Sequence, residues 1–134
     1  MSKTARDSSM NDAKNFTALV IDDTAIIRKI EEMLLNSKGF KTKVVENGQE
    51  AVNTFIEGNF FDVIIMDMEM PIMDGIQKAT KELRAMGVKG LIFGVTSSEL
   101  KSDIQAFVEA GLDEYFPKPL DFVKIDDILK RLEK

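Results

Sequence analysis

A chain of 134 residues can form one hydrophobic core, and its contents of 44% hydrophobic and 31% charged residues are typical of a globular protein. It has no cysteine and no histidine, which excludes disulfides, thiolate zinc sites and a histidine base, so a bound metal would need oxygen ligands, as Mg²⁺ and Ca²⁺ do. The net charge of −5 makes nucleic acid and anionic membranes poor partners, and no apolar run approaches the roughly 20 residues that span a bilayer.

The first fifteen residues are polar, carry both charges and lack the apolar core of a secretory signal. We therefore predict a disordered tail over residues 1–15, one domain over residues 16–134, and a soluble intracellular protein of the cytoplasm, the nucleus or both. Five short apolar runs follow, rich in β-branched or aromatic residues. The predicted strands are Ala18–Ile21, Lys41–Val45, Val63–Met66, Leu91–Val95 and Glu114–Phe116. The first, third and fourth are continuously apolar, which indicates cover on both faces, and the second alternates, which suits an edge.

Apolar side chains recur at helical spacing after each strand. The stripes are Ile26, Ile27, Ile30, Met33 and Leu34; Ala51, Val52, Phe55 and Ile56; Ile76, Ala79, Leu83 and Met86; Leu100, Ile104, Phe107 and Val108; and Phe122, Ile125, Ile128, Leu129 and Leu132. Glycines suited to a left-handed helix cap follow the first four stripes, at Gly39, Gly58, Gly87 and Gly111. Strict alternation of strand and helix predicts an α/β fold, a doubly wound, five-stranded parallel sheet of order 2-1-3-4-5 flanked by five helices, of the flavodoxin-like type.

Polar side chains follow the predicted strands at the edge where the carboxyl ends of parallel strands meet. They are Asp22 and Asp23 after the first strand, Asp67 after the third, Thr96 and Ser97 after the fourth, and Lys118 after the fifth. Clustered carboxylates repel one another, and Mg²⁺ would relieve that repulsion. A carboxylate can also accept a phosphoryl group, whose charge a lysine and a hydroxyl stabilise. This edge is therefore suited to Mg²⁺-dependent phosphoryl transfer to an aspartate.

Several of these residues also have a plainer explanation, although Asp67 at the end of an apolar strand is harder to explain in this way. Asp22 and Asp23 could cap the first helix and complement its dipole, Thr96 could be a loop hydroxyl, and Lys118 could be a solvated charge. We interpret the methionines around the third strand, Met66, Met68, Met70 and Met73, as packing residues rather than metal ligands. The convergence of the polar residues on one edge favours the functional interpretation.

The segment Asp67–Gly75 has the sequence DMEMPIMDG and resembles the D-x-x-M-P-x-M-D-G signature of response-regulator receiver domains. Asp22-Asp23, Thr96-Ser97 and Lys118-Pro119 stand where that family carries its other characteristic residues. The resemblance covers about residues 16–132. The stretch Gly94–Ser97 and the lack of a second domain are similar to the stand-alone regulators of plant phosphorelays, which suggests a pathway such as cytokinin signalling.

The resemblance implies a signalling phosphoacceptor rather than an enzyme. Its implied metal is Mg²⁺, or Mn²⁺ in its place, held by Asp22, Asp23, Asp67 and the backbone carbonyl of Glu69. Asp67 would accept the phosphoryl group, Lys118 would pair with Asp67 and then with that group, and Thr96, Ser97 and Tyr115 would form the conformational switch. A cis peptide bond at Lys118–Pro119 would direct the lysine towards the site. We also expect the charged side chain of Glu69 to affect the dephosphorylation rate.

The implied donor is a histidine-containing phosphotransfer protein or a histidine kinase, and it must be another protein because this chain has no histidine. We expect it to dock near the first helix, whose exposed face is predicted to carry Arg28, Lys29, Glu31 and Glu32. The output would then come through a protein partner, through competition for phosphoryl groups or by simple relay, with the chain a monomer or a phosphorylation-dependent dimer.

Two alternatives differ in class from this function. A pseudo-receiver would keep the fold as an interaction module and never take a phosphoryl group. A Mg²⁺-dependent aspartyl-phosphate phosphohydrolase would carry a D-x-D motif after the first strand, where this chain has Asp22-Asp23-Thr24. A flavin-binding protein is disfavoured because the acids there would repel the flavin phosphate.

Overall fold

A computed structural model of the protein describes residues 16–69, 73–97 and 101–133, so the predicted tail, residues 1–15, lies outside the described residues. Strands and helices alternate along these ranges. The strands are β1 Thr17–Ile21, β2 Lys41–Val45, β3 Val63–Asp67, β4 Leu91–Thr96 and β5 Glu114–Pro117. The helices are α1 Ala25–Ser37, α2 Gly48–Ile56, α3 Met73–Ala85, α4 Lys101–Ala110 and α5 Phe122–Leu132.

The strands form one parallel sheet in the order β2-β1-β3-β4-β5, which confirms the predicted topology. Strand β2 lies at an edge and its burial alternates, as predicted, whereas every residue of β3 is buried. Strands β3 and β4 each extend one residue beyond the prediction, so Asp67 and Thr96 are the last residues of their strands. Asp67 pairs with Val95 in the ladder, and this pairing fixes the backbone of the site.

Each face of the sheet carries its own hydrophobic core because side chains alternate along a strand. On one face Leu19, Ile21, Ile64 and Met66 pack with apolar residues of α2, α3 and α4. On the other face Ala18, Val20, Val63 and Ile65 pack with Leu35 of α1 and with Ile125, Ile128 and Leu129 of α5. Two covered faces explain why the central strands are continuously apolar.

Helix α1 is rotated relative to its apolar stripe. Ile26, Ile30 and Met33 are 65%, 45% and 59% exposed, whereas Glu31 and Leu35 are buried. The prediction that Glu31 lies on the exposed face is therefore wrong. The orientation is fixed at two points, because the Arg28 guanidinium donates to the carbonyl of Asp22 at 2.8 Å and Leu35 enters the core. Glu31 lies three residues after Arg28 and four before Leu35, so it shares their face of the helix.

The loops at the amino-terminal edge of the sheet are held together by Arg84 of α3. Its guanidinium donates to the carbonyls of Gly111, Val88 and Gly90 at 3.0, 2.8 and 2.9 Å and pairs with Asp113 at 2.7 Å.

All four glycines predicted as helix caps have positive φ, namely Gly39, Gly58, Gly87 and Gly111. Within the described ranges, no helix has the length and apolar character needed to cross a membrane.

Candidate functional site

Three carboxylates meet at the carboxyl edge of the sheet, as the sequence predicted. One oxygen from each of Asp22, Asp23 and Asp67 lies within 4.8 Å of the other two. The register brings them together, because Ile21 pairs with Met66 and the next residue of each strand is an aspartate. Asp22 and Asp67 are 2% and 5% exposed, whereas Asp23 is open to solvent.

The negative charges of the three carboxylates oppose one another. The pKa of Asp22 is raised by burial, and the charges of Asp67 and Asp23 raise it further, against the opposing effect of a hydrogen bond from the Thr24 backbone N–H. That hydrogen bond is 2.9 Å long, while the N-cap residue Thr24 makes no side-chain cap of its own. Side-chain capping of the helix therefore does not account for Asp23. Oxygen ligands at these mutual distances, with excess negative charge, fit a hard divalent cation such as Mg²⁺.

Lys118 lies beside Asp67 and is paired with it, although 34% of its side chain is exposed. Its Nζ is 2.8 Å from Asp67 Oδ1, which also accepts the backbone N–H of Glu69 at 2.9 Å. The backbone N–H of Lys118 donates to the carbonyl of Thr96 at 2.9 Å, and the Lys118–Pro119 peptide bond is cis, as predicted. Burial would lower the pKa of the lysine, but its hydrogen bonds to Asp67 and Glu69 outweigh this effect and raise the pKa.

The carboxylate of Glu69 lies at the centre of a second group of contacts. It accepts the Thr96 hydroxyl at 3.1 Å, the Ser97 backbone N–H at 3.0 Å and the Ser97 hydroxyl at 2.8 and 3.0 Å. Lys118 Nζ is 3.1 Å away. Burial would raise the pKa of Glu69, but these hydrogen bonds lower it to about 2. The sequence predicted a charge at the mouth of the site but not these contacts, since no spacing rule joins Glu69 to Ser97.

Glu31 is the functional-site neighbour that sequence reasoning missed. Its side chain is 5% exposed, and burial raises its pKa to about 7, with further contributions from the charges of Asp22 and Asp67. The only signal in the sequence was an acid in register with Arg28 and Leu35 on the helix, and the stronger apolar stripe concealed it.

The remaining predicted residues are placed as follows. Tyr115 on β5 pairs with Gly94 in the ladder and is 43% exposed. Met66 and Met68 are buried in the core, in agreement with a packing role, and a Cβ added at Gly94 would lie 2.4 Å from Met68 Sδ. Met70 and the side chain of Met73 lie outside the described residues.

The fold and the site together define the receiver class of signalling domains. The sequence model described as the response regulator receiver domain matches residues 18–130, and the chain belongs to this family, as its motifs predicted. The chain is 47% identical over 116 residues to two-component response regulator 24 of Arabidopsis thaliana, covering 87% of this chain and 83% of that protein. The plant-type resemblance is therefore confirmed.

Solved structures agree with this assignment. The receiver domain of a sensor histidine kinase from Pseudomonas aeruginosa, with magnesium coordinated in its active-site cleft, is 28% identical, with a TM-score of 0.75 over 89% of this chain and 98% of that one. A second solved structure is the receiver domain of Ssk1 from Saccharomyces cerevisiae, crystallised with the histidine phosphotransfer protein Ypd1. It is 23% identical to this chain, with a TM-score of 0.77 over 90% of each chain, and it shows the shared fold. The predicted membership of two-component or phosphorelay signalling is confirmed.

Proposed function

We propose that Asp67 is the phosphoacceptor of a Mg²⁺-dependent phosphorelay receiver. The observation that carries the proposal is the position of the Asp67 carboxylate, 2.8 Å from Lys118 Nζ and within 4.8 Å of oxygens of Asp22 and Asp23. A carboxylate oxygen forms a bond to phosphorus while the bond between phosphorus and the donor nitrogen breaks, and the electron pair stays on that nitrogen. The product is an aspartyl phosphate, which water can later hydrolyse.

The metal ligands are proposed to be Asp22, Asp23, Asp67 and the backbone carbonyl of Glu69. When bound, Mg²⁺ or Mn²⁺ neutralises negative charge on the carboxylates and on phosphoryl oxygens. The raised pKa of Asp22 and the oxygen-only donor set support this assignment. Magnesium in the cleft of the Pseudomonas aeruginosa receiver domain supports it further.

Lys118 and Thr96 are proposed to stabilise the transferred group, and Thr96, Ser97 and Tyr115 to report its presence. Lys118 already contacts the acceptor, and Thr96 ends the strand next to it. If the Thr96 hydroxyl turns onto a phosphoryl oxygen, it leaves Glu69 and draws the β4–α4 connection inward. Tyr115, 43% exposed on the neighbouring strand, would then turn inward. This is a two-state element biased by a local charge.

The donor is proposed to be a phosphohistidine protein that docks on α1. Ile26, Ile27, Ile30 and Met33 are all exposed on this helix, which begins at the acid cluster. Phe122 and Val123 at the start of α5 are also exposed, and Lys38 lies 5.5 Å over the Phe122 ring, which joins the two helices into one surface. An apolar surface beside the acceptor suits a partner whose histidine must reach Asp67.

This docking surface can be tested apart from the chemistry. Ile30→Asp should slow phosphoryl transfer from a phosphorylated histidine phosphotransfer protein at least about tenfold, since a charge replaces a contact worth about 1.4 kcal/mol or more. It should leave the reaction with acetyl phosphate unchanged. Ile56→Asp is the matched control, because Ile56 is equally apolar and 66% exposed at the end of α2. Equal transfer to the two variants would place the docking surface elsewhere.

The acceptor chemistry is tested by intact-protein mass spectrometry after incubation with acetyl phosphate, with and without Mg²⁺, beside Asp67→Asn. We expect a Mg²⁺-dependent gain of one phosphoryl group in the parent and none in the variant. A phosphorylated histidine phosphotransfer protein serves as second donor. An unchanged mass with both donors would instead support a pseudo-receiver, and sustained turnover of small phosphate esters would support a phosphohydrolase.

A further inference from the structure

The Glu69 carboxylate is held by several hydrogen-bond donors and one ammonium. Its two oxygens accept hydrogen bonds from the Thr96 hydroxyl, the Ser97 backbone N–H and the Ser97 hydroxyl, over distances of 2.8–3.1 Å. Lys118 adds an ion pair at 3.1 Å. A carboxylate with this many donors is a well-bound anion. The protein itself therefore supplies an anion to this group of donors.

These donors lie at the acceptor. The same Nζ of Lys118 contacts Asp67 Oδ1 at 2.8 Å and Glu69 Oε1 at 3.1 Å, so one ammonium bridges the acceptor and the Glu69 carboxylate. Thr96 ends β4 beside Asp67, which ends β3. A phosphoryl group on Asp67 would carry three further oxygens and would need donors and positive charge within this range. The Glu69 carboxylate now engages three donor residues at this edge, Thr96, Ser97 and Lys118.

We propose that the Glu69 carboxylate is an internal competitor for the phosphoryl-oxygen subsite, and that it must leave before Asp67 can take a phosphoryl group. This inference rests on the proposed function. The Thr96 hydroxyl and the Ser97 backbone N–H each have one hydrogen to donate, so a phosphoryl contact from either requires the loss of its Glu69 contact. The unphosphorylated protein therefore accepts a phosphoryl group poorly while Glu69 holds these donors. A donor protein that moves Glu69 aside would have an advantage over a small anion that cannot.

A plainer role for Glu69 is to tie the end of β3 to the end of β4. Substitution separates the two roles. Glu69→Gln retains the length of the side chain and an oxygen that accepts from Ser97 and Thr96, but it loses the negative charge that holds Lys118. Glu69→Ala removes the competitor altogether. Both variants keep the backbone carbonyl of residue 69, so the proposed metal ligands are unchanged.

The test is a titration of full-length protein with beryllium fluoride in excess Mg²⁺, followed by fluorine NMR. Trifluoroberyllate is a tetrahedral anion that bonds to a carboxylate oxygen as a phosphoryl group does. Glu69→Ala should bind it at least about tenfold more tightly than the parent, since several charge-assisted contacts no longer need to be broken. Glu69→Gln should bind more tightly by a smaller factor. Glu46→Ala is the control, because Glu46 is exposed after β2 at the same edge and its loss removes the same charge.

Equal or weaker binding by Glu69→Ala would overturn the competitor role and leave the proposed function standing, because the parent would still bind the anion. A gain in Glu46→Ala as large as in Glu69→Ala would also overturn it, since general charge would then explain the effect. Absence of binding by all four proteins would instead contradict the proposed function, and the inference with it. Denaturant unfolding of each variant verifies that it is folded, and Glu69→Gln decides the matter if Glu69→Ala is not.

Discussion

Glu31→Gln should make the protein more stable at high pH and leave it nearly unchanged at low pH. Glu31 is buried against the acid cluster, with Asp22, Asp67 and Lys118 as the charged groups that act on it, and burial raises its pKa from an ordinary 4.5 to about 7. Below pH 4.5 the carboxyl is protonated in both the folded and the unfolded chain. Between pH 4.5 and about 7 the unfolded chain loses the proton that the folded protein retains, so stability falls over this range. Above it the folded protein holds a charge in a buried site, and the loss is complete.

The size of the effect follows from the shift. A difference of 2.5 pH units between 4.5 and about 7, at about 1.4 kcal/mol per unit, gives about 3.5 kcal/mol at most, and about 2.5 kcal/mol of this develops between pH 5 and pH 8. Glutamine has the shape of the protonated acid and no charge. The stability of Glu31→Gln relative to the parent should therefore rise by about 2.5 kcal/mol from pH 5 to pH 8.

The assay is urea unfolding followed by circular dichroism at both pH values, with EDTA present so that no metal alters the acid cluster. Glu32→Gln is the control, because Glu32 is the next residue of α1 and is only partly buried. Its stability relative to the parent should differ little between the two pH values. The reasoning about Glu31 would be refuted by a Glu31→Gln variant whose advantage does not grow with pH, or by equal growth in Glu32→Gln.

Three further predictions concern other parts of the molecule. Arg84→Ala should lower the free energy of unfolding by about 2–4 kcal/mol, because three loop carbonyls lose their donor and Asp113 loses its ion pair. A loss below about 0.5 kcal/mol in urea unfolding would show that the loops do not depend on Arg84. Gly90→Ala should cost about 1–3 kcal/mol in the same assay, because an added Cβ would lie 2.5 Å from the backbone oxygen of Phe61, and unchanged stability would mean that the turn has room. The phosphoryl group on Asp67 should persist several-fold longer in Glu69→Ala than in the parent, because no carboxylate returns to compete for the hydrogen bonds that hold it. Mass spectrometry after removal of the phosphodonor follows this lifetime. Equal lifetimes would exclude an effect of Glu69 on dephosphorylation.

The sheet could be predicted because its determinants are local. The continuous apolar runs of the central strands, the alternation in β2 and the glycines after the helices each follow from a short-range rule. The ends of the strands could not be predicted so well. Asp67 is polar and gives no apolar signal, yet its backbone continues the ladder opposite Val95. Hydrogen bonding of the backbone is indifferent to the side chain, so pairing continues into the functional residues.

The rotation of α1 is not determined by its own pattern. The spacing of Ile26, Ile30 and Met33 indicates an apolar stripe, but an apolar stripe can face the protein core or the surface that a partner covers. The inward face is selected by contacts distant in sequence, such as that of the Arg28 guanidinium with the carbonyl of Asp22 and that of Leu35 with the core. These contacts bury Glu31, which no local rule predicts.

One part of the candidate site could be predicted from the sequence and another part could not. The meeting of Asp22, Asp23 and Asp67 follows from parallel strands whose carboxyl ends share an edge, so the sequence sufficed to predict it. The hydrogen bonds from Ser97 to Glu69 depend on the path of the chain after β3 and on the rotamers chosen there. Such contacts are settled only by the folded protein, and they are the basis of the proposed competition at the acceptor.

The most direct test of the central proposal is to identify the phosphorylated residue. Borohydride reduces an acyl phosphate to an alcohol, so an aspartyl phosphate becomes homoserine, which tandem mass spectrometry locates in a peptide. After incubation with acetyl phosphate and Mg²⁺, we expect homoserine at position 67 and none when EDTA replaces Mg²⁺. Homoserine at position 22 or 23 instead of 67 would contradict the assignment of Asp67 as the phosphoacceptor.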